Sequence, residues 1–179
     1  KNYKVYAMVA PTISSQFTYA KLGQVITGLK ELGFFTVVEA ALGADMVAME
    51  ESKELAEKGF LTSSCCPAFV QYVKTAFPTL LPNVSHNLSP MGVLAKYIKS
   101  TDKNAKVVFI GPCIAKKAEA QLDSVNEYID AVLTFEELTN WLKSENIELE
   151  VEKDNDDFSR ARFFPTTGGV LKTMAQDAP

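Results

Sequence analysis

Three cysteines carry most of the reactive potential of this 179-residue sequence: Cys65 and Cys66, which are adjacent, and Cys113. An odd number with two neighbours makes a poor disulfide framework, and a bridge between Cys65 and Cys66 would be strained. As thiolates, these residues are soft ligands that select iron-sulfur clusters, zinc or copper(I) over hard cations. Zinc lacks partners, because His86 is the only histidine. Thiol exchange of the Cys-x-x-Cys kind is absent as well. A cubane cluster normally takes four cysteines, so on spacing alone the thiols also fit a plainer role as small, half-buried apolar side chains. Lys116 adds a cation. It follows Cys113 by about one helical turn, so its ammonium can share that thiol's pocket and donate to an anionic ligand.

The surrounding pattern says which elements must hold these residues. Lys4 to Ala10 predicts a buried strand closed by Pro11, with Thr12 suited to capping a helix. Apolar residues recur at helical spacing from Phe17 to Leu32, Gly33 ends that run, and Phe34 to Glu39 is the next strand. Gly43 and Asp45 offer a turn and a cap before a helix from Met46 to Lys58, which Gly59 terminates. Cys65 and Cys66 precede Pro67, which opens a helix reaching Phe77; Pro78 and Pro82 mark a loop, and another helix covers Met91 to Lys99. Lys106 to Ile110 is a strand broken by Gly111-Pro112 and followed by a helix from Ile114 to about Leu122. Ile129 to Leu133 is one more strand, and Thr134 with Glu137 forms a capping box on a helix ending at Lys143. Asp154 to Asp157 reads as an acidic loop, and Phe163 to Met174 passes through Thr166-Thr167-Gly168-Gly169 into a last helical turn or two.

Strands alternating with helices predict an α/β fold with a mainly parallel β-sheet and flanking helices. In such sheets ligands gather outside the carboxyl ends of the strands. Thr12, the Cys65-Cys66 pair and Cys113 all sit in loops of that kind, so the thiols converge if these edges face one cavity. Helix N-termini there favour the thiolate form.

Composition narrows the class of protein. Hydrophobic residues at 47% and charged residues at 22% exclude a disordered or fibrous chain. With 18 basic against 22 acidic residues and a net charge of -4, no basic cluster offers a nucleic-acid surface. No apolar run approaches the roughly 20 residues of a membrane span, so a cytoplasmic location is expected.

Two of these segments together resemble a known family. Ser63-Ser64-Cys65-Cys66-Pro67-Ala68-Phe69 is similar to Thr-Ser-Cys-Cys-Pro-x-Trp, and Gly111-Pro112-Cys113-Ile114-Ala115-Lys116-Lys117-Ala118-Glu119 to Met-Pro-Cys-x-x-Lys-x-x-Glu. Both are signatures of the catalytic domain found in the large subunits of iron-only ([FeFe]) hydrogenases. The resemblance continues through Val9-Ala10-Pro11, Gly43-Ala44-Asp45, Met49-Glu50-Glu51, Ser89-Pro90 and Thr167-Gly168-Gly169-Val170, in the family's order and over nearly the whole chain.

It implies an H-cluster, a [4Fe-4S] cubane joined through a cysteine sulfur to a two-iron subcluster, catalysing H2 = 2 H+ + 2 e- with a ferredoxin-like carrier or a fused ferredoxin domain. By the same resemblance Cys66 and Cys113 are metal ligands. Lys116, Pro11 and Thr12 face the cyanides of the two-iron unit, Ser89 lines that pocket, and Glu119 serves it. Cys65 passes protons instead of binding iron, and Glu51, Glu54 and Ser85 relay them from solvent; without the resemblance, the two glutamates read as a solvated helix face. The family's third signature, Glu-x-Met-x-Cys-x-x-x-Cys, should follow Gly168-Gly169-Val170, and the sequence stops first. Residues 1–179 are therefore expected to be the N-terminal portion of the H-cluster domain, without cluster or activity by themselves. Gly111 in place of Met, Met91 of Gln, Phe69 of Trp and Lys58 of an Arg are departures similar to those of divergent or sensory members. Two alternatives stay open: an H2-sensing module of a signalling protein, and a hydrogenase-like iron-sulfur assembly factor that holds cubanes only. His86 reads as a loop residue and Trp141 as a helix core residue.

Overall fold

A computed structural model describes residues 2–149. Four strands, β1 (Val5–Val9), β2 (Thr36–Glu39), β3 (Lys106–Gly111) and β4 (Ala131–Thr134), form one sheet in the order β2-β1-β3-β4, and every pairing is parallel. The expected α/β architecture is therefore present. Ala7, Met8 and Val9 of β1 and Val107, Phe109 and Ile110 of β3 are all buried, as they must be where helices cover both faces of a parallel sheet. Such strands read as continuous apolar runs, which is why the sequence marks them clearly.

The chain leaves β1 toward β2 on one side and leaves β3 toward β4 on the other. Strand order thus reverses between β1 and β3, whose carboxyl ends lie side by side, Val9 opposite Ile110 with Ala10 N–H donating to Ile110 C=O at 2.8 Å. A crevice at that switch point is where open α/β sheets take ligands.

The helices are α1 (Ile13–Gln16), α2 (Leu22–Glu31), α3 (Ala41–Lys58), α4 (Pro67–Ala76), α5 (Pro90–Thr101), α6 (Ala115–Glu119) and α7 (Phe135–Ser144). Four segments differ from the sequence reading, one of them α6, which ends at Glu119 rather than near Leu122. The helix expected from about Phe17 to Leu32 starts only at Leu22, because Phe17 is the C-cap of the separate short helix α1, buried in the core against Phe135, and the chain turns there before α2 starts. Helix α3 begins five residues before Met46, with Gly43 inside it rather than in a turn. A side chain there would meet α5, since an added Cβ would lie 2.2 Å from the Pro90 carbonyl oxygen, so the glycine is a close-packing point. The segment around Pro78 and Pro82 is a 3-10 helix, Pro78–Asn83.

Two other local signals are realised. Gly59 ends α3 at φ 73°, and the α7 capping box is formed, with Thr134 Oγ1 accepting from Glu137 N–H at 3.1 Å and Glu137 Oε2 accepting from Thr134 N–H at 2.7 Å. Trp141 packs edge-on against Phe34. Among the described residues no helix is long and apolar enough to cross a membrane. The expected loop Asp154 to Asp157, the run from Phe163 to Met174 and the Thr167-Gly168-Gly169-Val170 segment lie outside the described residues.

Candidate metal and proton-transfer site

The cysteine-bearing loop is held at both ends by backbone and by buried polar groups. Thr62 forms a parallel bridge with Val84, with Thr62 N–H donating to Asn83 C=O at 2.7 Å and Ser85 N–H to Thr62 C=O at 2.8 Å. Ser63 Oγ donates to Glu51 Oε1 at 2.9 Å and accepts from Cys65 N–H at 3.3 Å, while Ser64 Oγ donates to Asn87 C=O at 2.6 Å. Cys66 then occupies the N-cap of α4 with Pro67 directly after it, and its sulfur accepts from Phe69 N–H at 3.4 Å. Cys113 follows Pro112 in the turn from β3 into α6 and, like Cys66, is exposed.

These pieces meet at the switch point. A cavity of about 360 Å³ beyond the ends of β1 and β3 is lined by Cys65, Cys66, Cys113, Lys116, Pro11 and Thr12, with Phe109, Pro90 and Met91 among its apolar walls. All three cysteines and Lys116 therefore border one hollow. Among the described residues Thr12 Oγ1 is the buried side-chain oxygen or nitrogen that has no hydrogen-bond partner. Thr12 stands at the N-cap of α1 without making the capping bond expected of it.

Cysteines and a lysine around one hollow, with an unsatisfied hydroxyl beside them, suit a sulfur-bridged iron group with anionic ligands better than a hard cation. The donor set is partial. Among the described residues no group of three or more His, Cys, Asp or Glu side chains could enclose a metal ion.

Lys116 is positioned by two acceptors, Cys65 C=O at 3.0 Å and Glu119 Oε2 at 2.6 Å. Glu119 is itself buried, and its other carboxylate oxygen accepts from the Ser89 hydroxyl. Ser89 also caps α5 by accepting from Gly92 N–H at 3.4 Å. Its hydroxyl is thus spent on Glu119, and both residues line a neighbouring 570 Å³ cavity between α4, α6 and residues 84–89 rather than the cysteine cavity. The place expected for Ser89 in the pocket wall falls to Pro90 and Met91.

Cys65 differs from its neighbour. Burial pushes its thiol up, the Ser63 hydroxyl works against that, and the Glu51 carboxylate adds to it. The activated thiolate expected from a helix N-terminus does not extend to this residue, which lies just outside the cap.

Behind it, Glu51 is 1% exposed, accepting from Ser63 Oγ and from Ser64 N–H, so it is no solvated helix face. Glu54, one turn further along α3, gathers a second cluster: Ser85 Oγ donates to Oε2 at 2.9 Å, Asn87 Nδ2 to Oε2 at 3.3 Å and Lys58 Nζ to Oε1 at 2.7 Å. Burial alone would raise the Glu54 carboxyl, but donors from Lys58, Ser85 and His86 overcome it and hold the group at about 2. Asn87 joins the clusters, since its carbonyl takes the Ser64 hydroxyl while its amide donates to Ser85 Oγ at 3.0 Å.

Sequence reasoning passed over Ser63, Asn87 and Phe109. Ser63 lies two residues before Cys65, the spacing of a local serine turn, which is a readable signal. Phe109 shares a strand face with Gly111, and a Cβ on Gly111 would sit 2.6 Å from its ring. The ring fills the space that a side chain at 111 would take.

Comparison with known proteins identifies the family of the chain. Residues 3–178 match the family described as iron only hydrogenase large subunit, C-terminal domain. Iron hydrogenase 1 of Clostridium pasteurianum is 30% identical over 97% of the chain, and the periplasmic [Fe] hydrogenase large subunit of Nitratidesulfovibrio vulgaris is 32% identical over 87%. The chain spans 35% and 44% of the lengths of those two relatives. A structure of the [FeFe]-hydrogenase HydA1 from Chlamydomonas reinhardtii superposes with a TM-score of 0.75 at 30% identity, covering 98% of this chain and 54% of the other. A cytosolic Fe-S cluster assembly factor, the NAR1 homolog of Schizosaccharomyces japonicus, is 35% identical over 60% of the chain and 24% of its own length.

Proposed function

The chain belongs to the iron-only hydrogenase family, within the C-terminal domain of its large subunits, and from that premise we propose that residues 1–179 form the N-terminal portion of an H-cluster domain catalysing H2 = 2 H+ + 2 e-. The observation that carries the reading is the convergence of Cys66, Cys113, Lys116 and the unpartnered Thr12 hydroxyl on one cavity at the switch point. Cys66 and Cys113 would hold two corners of a [4Fe-4S] cubane. With only three cysteines in the sequence, and Cys65 reserved for protons, the remaining ligands come from polypeptide beyond these residues.

When bound, the two-iron subcluster supplies the open metal position at which H2 is split into charges of opposite sign. The chain's own residues do the rest. Lys116, fixed by Glu119 and the Cys65 carbonyl, presents an ammonium to the anionic ligands, and Thr12 adds a hydroxyl donor. Cys65, kept as a thiol by burial, gives and takes protons at its sulfur. Glu51 and Ser63 support it from behind, and Ser85 with Glu54 carries protons toward solvent. Electrons leave to a ferredoxin-like carrier or a fused ferredoxin domain, and a cytoplasmic setting keeps the thiols reduced.

The test is a set of cysteine variants in the complete polypeptide. Cys66→Ser and Cys113→Ser should lower bound iron, whereas Cys65→Ser should keep the iron and lose turnover by roughly 10²-fold or more, the usual worth of a positioned proton donor. Equal iron loss in all three variants would overturn the division of labour. An assembly-factor function is the second reading, favoured by the relatives of that name. The Lys116–Glu119–Ser89 network around Cys65 weighs against it, because a site holding cubanes alone has no use for a proton-carrying thiol.

A further inference from the structure

Resting on the proton-relay reading, we infer that His86 is the solvent-side proton donor and acceptor of the Glu54 cluster, a relay residue rather than a passive loop histidine. Its Nδ1 lies 2.9 Å from Glu54 Oε1 and 3.3 Å from Lys58 Nζ. One nitrogen thus faces an acceptor and a donor at once. Unprotonated, Nδ1 takes a hydrogen bond from the Lys58 ammonium; protonated, it donates to the Glu54 carboxylate. Either state is paired, so the ring can change protonation without moving.

Solvent access completes the device. The His86 side chain is 76% exposed, whereas Glu54 beneath it is 14% exposed. A proton taken from water at Nε2 is matched by one released from Nδ1 toward Glu54 Oε1; the ring ends neutral in the other tautomer, and exchange of its hydrogen with the solvent around the exposed ring restores the first tautomer before the next proton. Production of H2 draws protons inward by this route, and oxidation of H2 returns them along it. Lys58 is unsuited to the task, being a strongly basic ammonium already shared with Glu54 and with Pro82 C=O at 2.9 Å. Glu54, held ionised by its donors, passes a proton on more readily than it stores one. Imidazole is the side chain whose ordinary protonation change falls in the neutral range. Ser85 and Asn87 on its own segment line the same 570 Å³ cavity as His86, as do Gln71 and Lys74 of α4 and Glu119 of α6.

The experiment has two arms. In the complete, cluster-loaded polypeptide, His86→Gln should lower turnover at neutral pH by roughly tenfold, and added imidazole should restore most of it while a non-imidazole buffer of the same pH should not. Unchanged turnover, or a loss that imidazole does not repair, overturns the assignment. In the 179-residue chain without any cluster, diethyl pyrocarbonate reports on the sole histidine. Glu54→Gln should speed its modification about threefold, because the carboxylate oxygen that holds Nδ1 in a hydrogen bond is gone. An unchanged rate means that the two groups share no proton and overturns the assignment independently. If Cys65→Ser and Glu54→Gln keep full turnover, the relay reading itself fails and this one with it. If those two lose turnover while His86→Gln does not, only the His86 assignment fails.

Discussion

At the scale of single residues, position in the loop separates the two adjacent cysteines. Cys66 caps a helix and is exposed, whereas Cys65, one residue earlier, is half-buried beside Ser63. The difference is testable without any cluster. Iodoacetamide should alkylate Cys66 and Cys113 well before Cys65, and peptide mass spectrometry at short times gives the order. Glu54 makes a separate prediction about pH. Its folded-state value of about 2 lies below the ordinary 4.5, so the carboxylate contributes stability that is fully present above the ordinary value and is lost as pH falls toward 2. The urea midpoint of the chain should therefore drop between about pH 5 and pH 2, and Glu54→Gln should reduce that drop. An equal drop in the variant would mean that the Lys58, Ser85 and His86 contacts do not hold the carboxylate in solution.

Helices and strands show where sequence reading succeeds and where it stops. The capping box at Thr134 and Glu137 and the Gly59 stop are local devices whose partners lie within a few residues, so their types and spacing are enough. The start of α3 was not legible. Gly43 looks like a turn residue until α5 is laid against it, and the Pro90 carbonyl that requires the missing side chain lies 47 positions away along the sequence. The break after α1 has the same origin, since Phe17 leaves the helical pattern to reach Phe135. Gly43→Ala puts this to measurement. A Cβ at 2.2 Å from backbone cannot be absorbed by a rotamer change, so α3 and α5 must separate, at a cost of about 1–3 kcal/mol or more. Thr134→Ala, which removes only a cap, should cost about 1 kcal/mol. Chemical denaturation of both variants should keep that order, and a neutral Gly43→Ala would show that α3 and α5 have room to spare at this crossing.

For the whole molecule, the order of four parallel strands brings together groups from distant parts of the chain: Pro11 and Thr12 after β1, Cys65 and Cys66 before α4, Cys113 and Lys116 after β3. Residue types and the loops that hold them could be read in advance, because the strand pattern is strong and ligands favour the carboxyl edge. The turning of Ser89 and Glu119 toward the next cavity could not, since it depends on which buried acceptor a hydroxyl finds first. The same geometry limits what these residues hold unaided. A cubane needs four ligands, and the cavity offers Cys66 and Cys113 with Cys65 as the sole other thiol of the sequence. Anaerobic reconstitution of the 179-residue chain with iron and sulfide should leave bound iron well below one cubane per chain, and Cys65→Ser should not lower it further. If instead a full cubane is retained and is lost in Cys65→Ser, Cys65 is a ligand, and the proton-carrying role built on its separation from Cys66 falls.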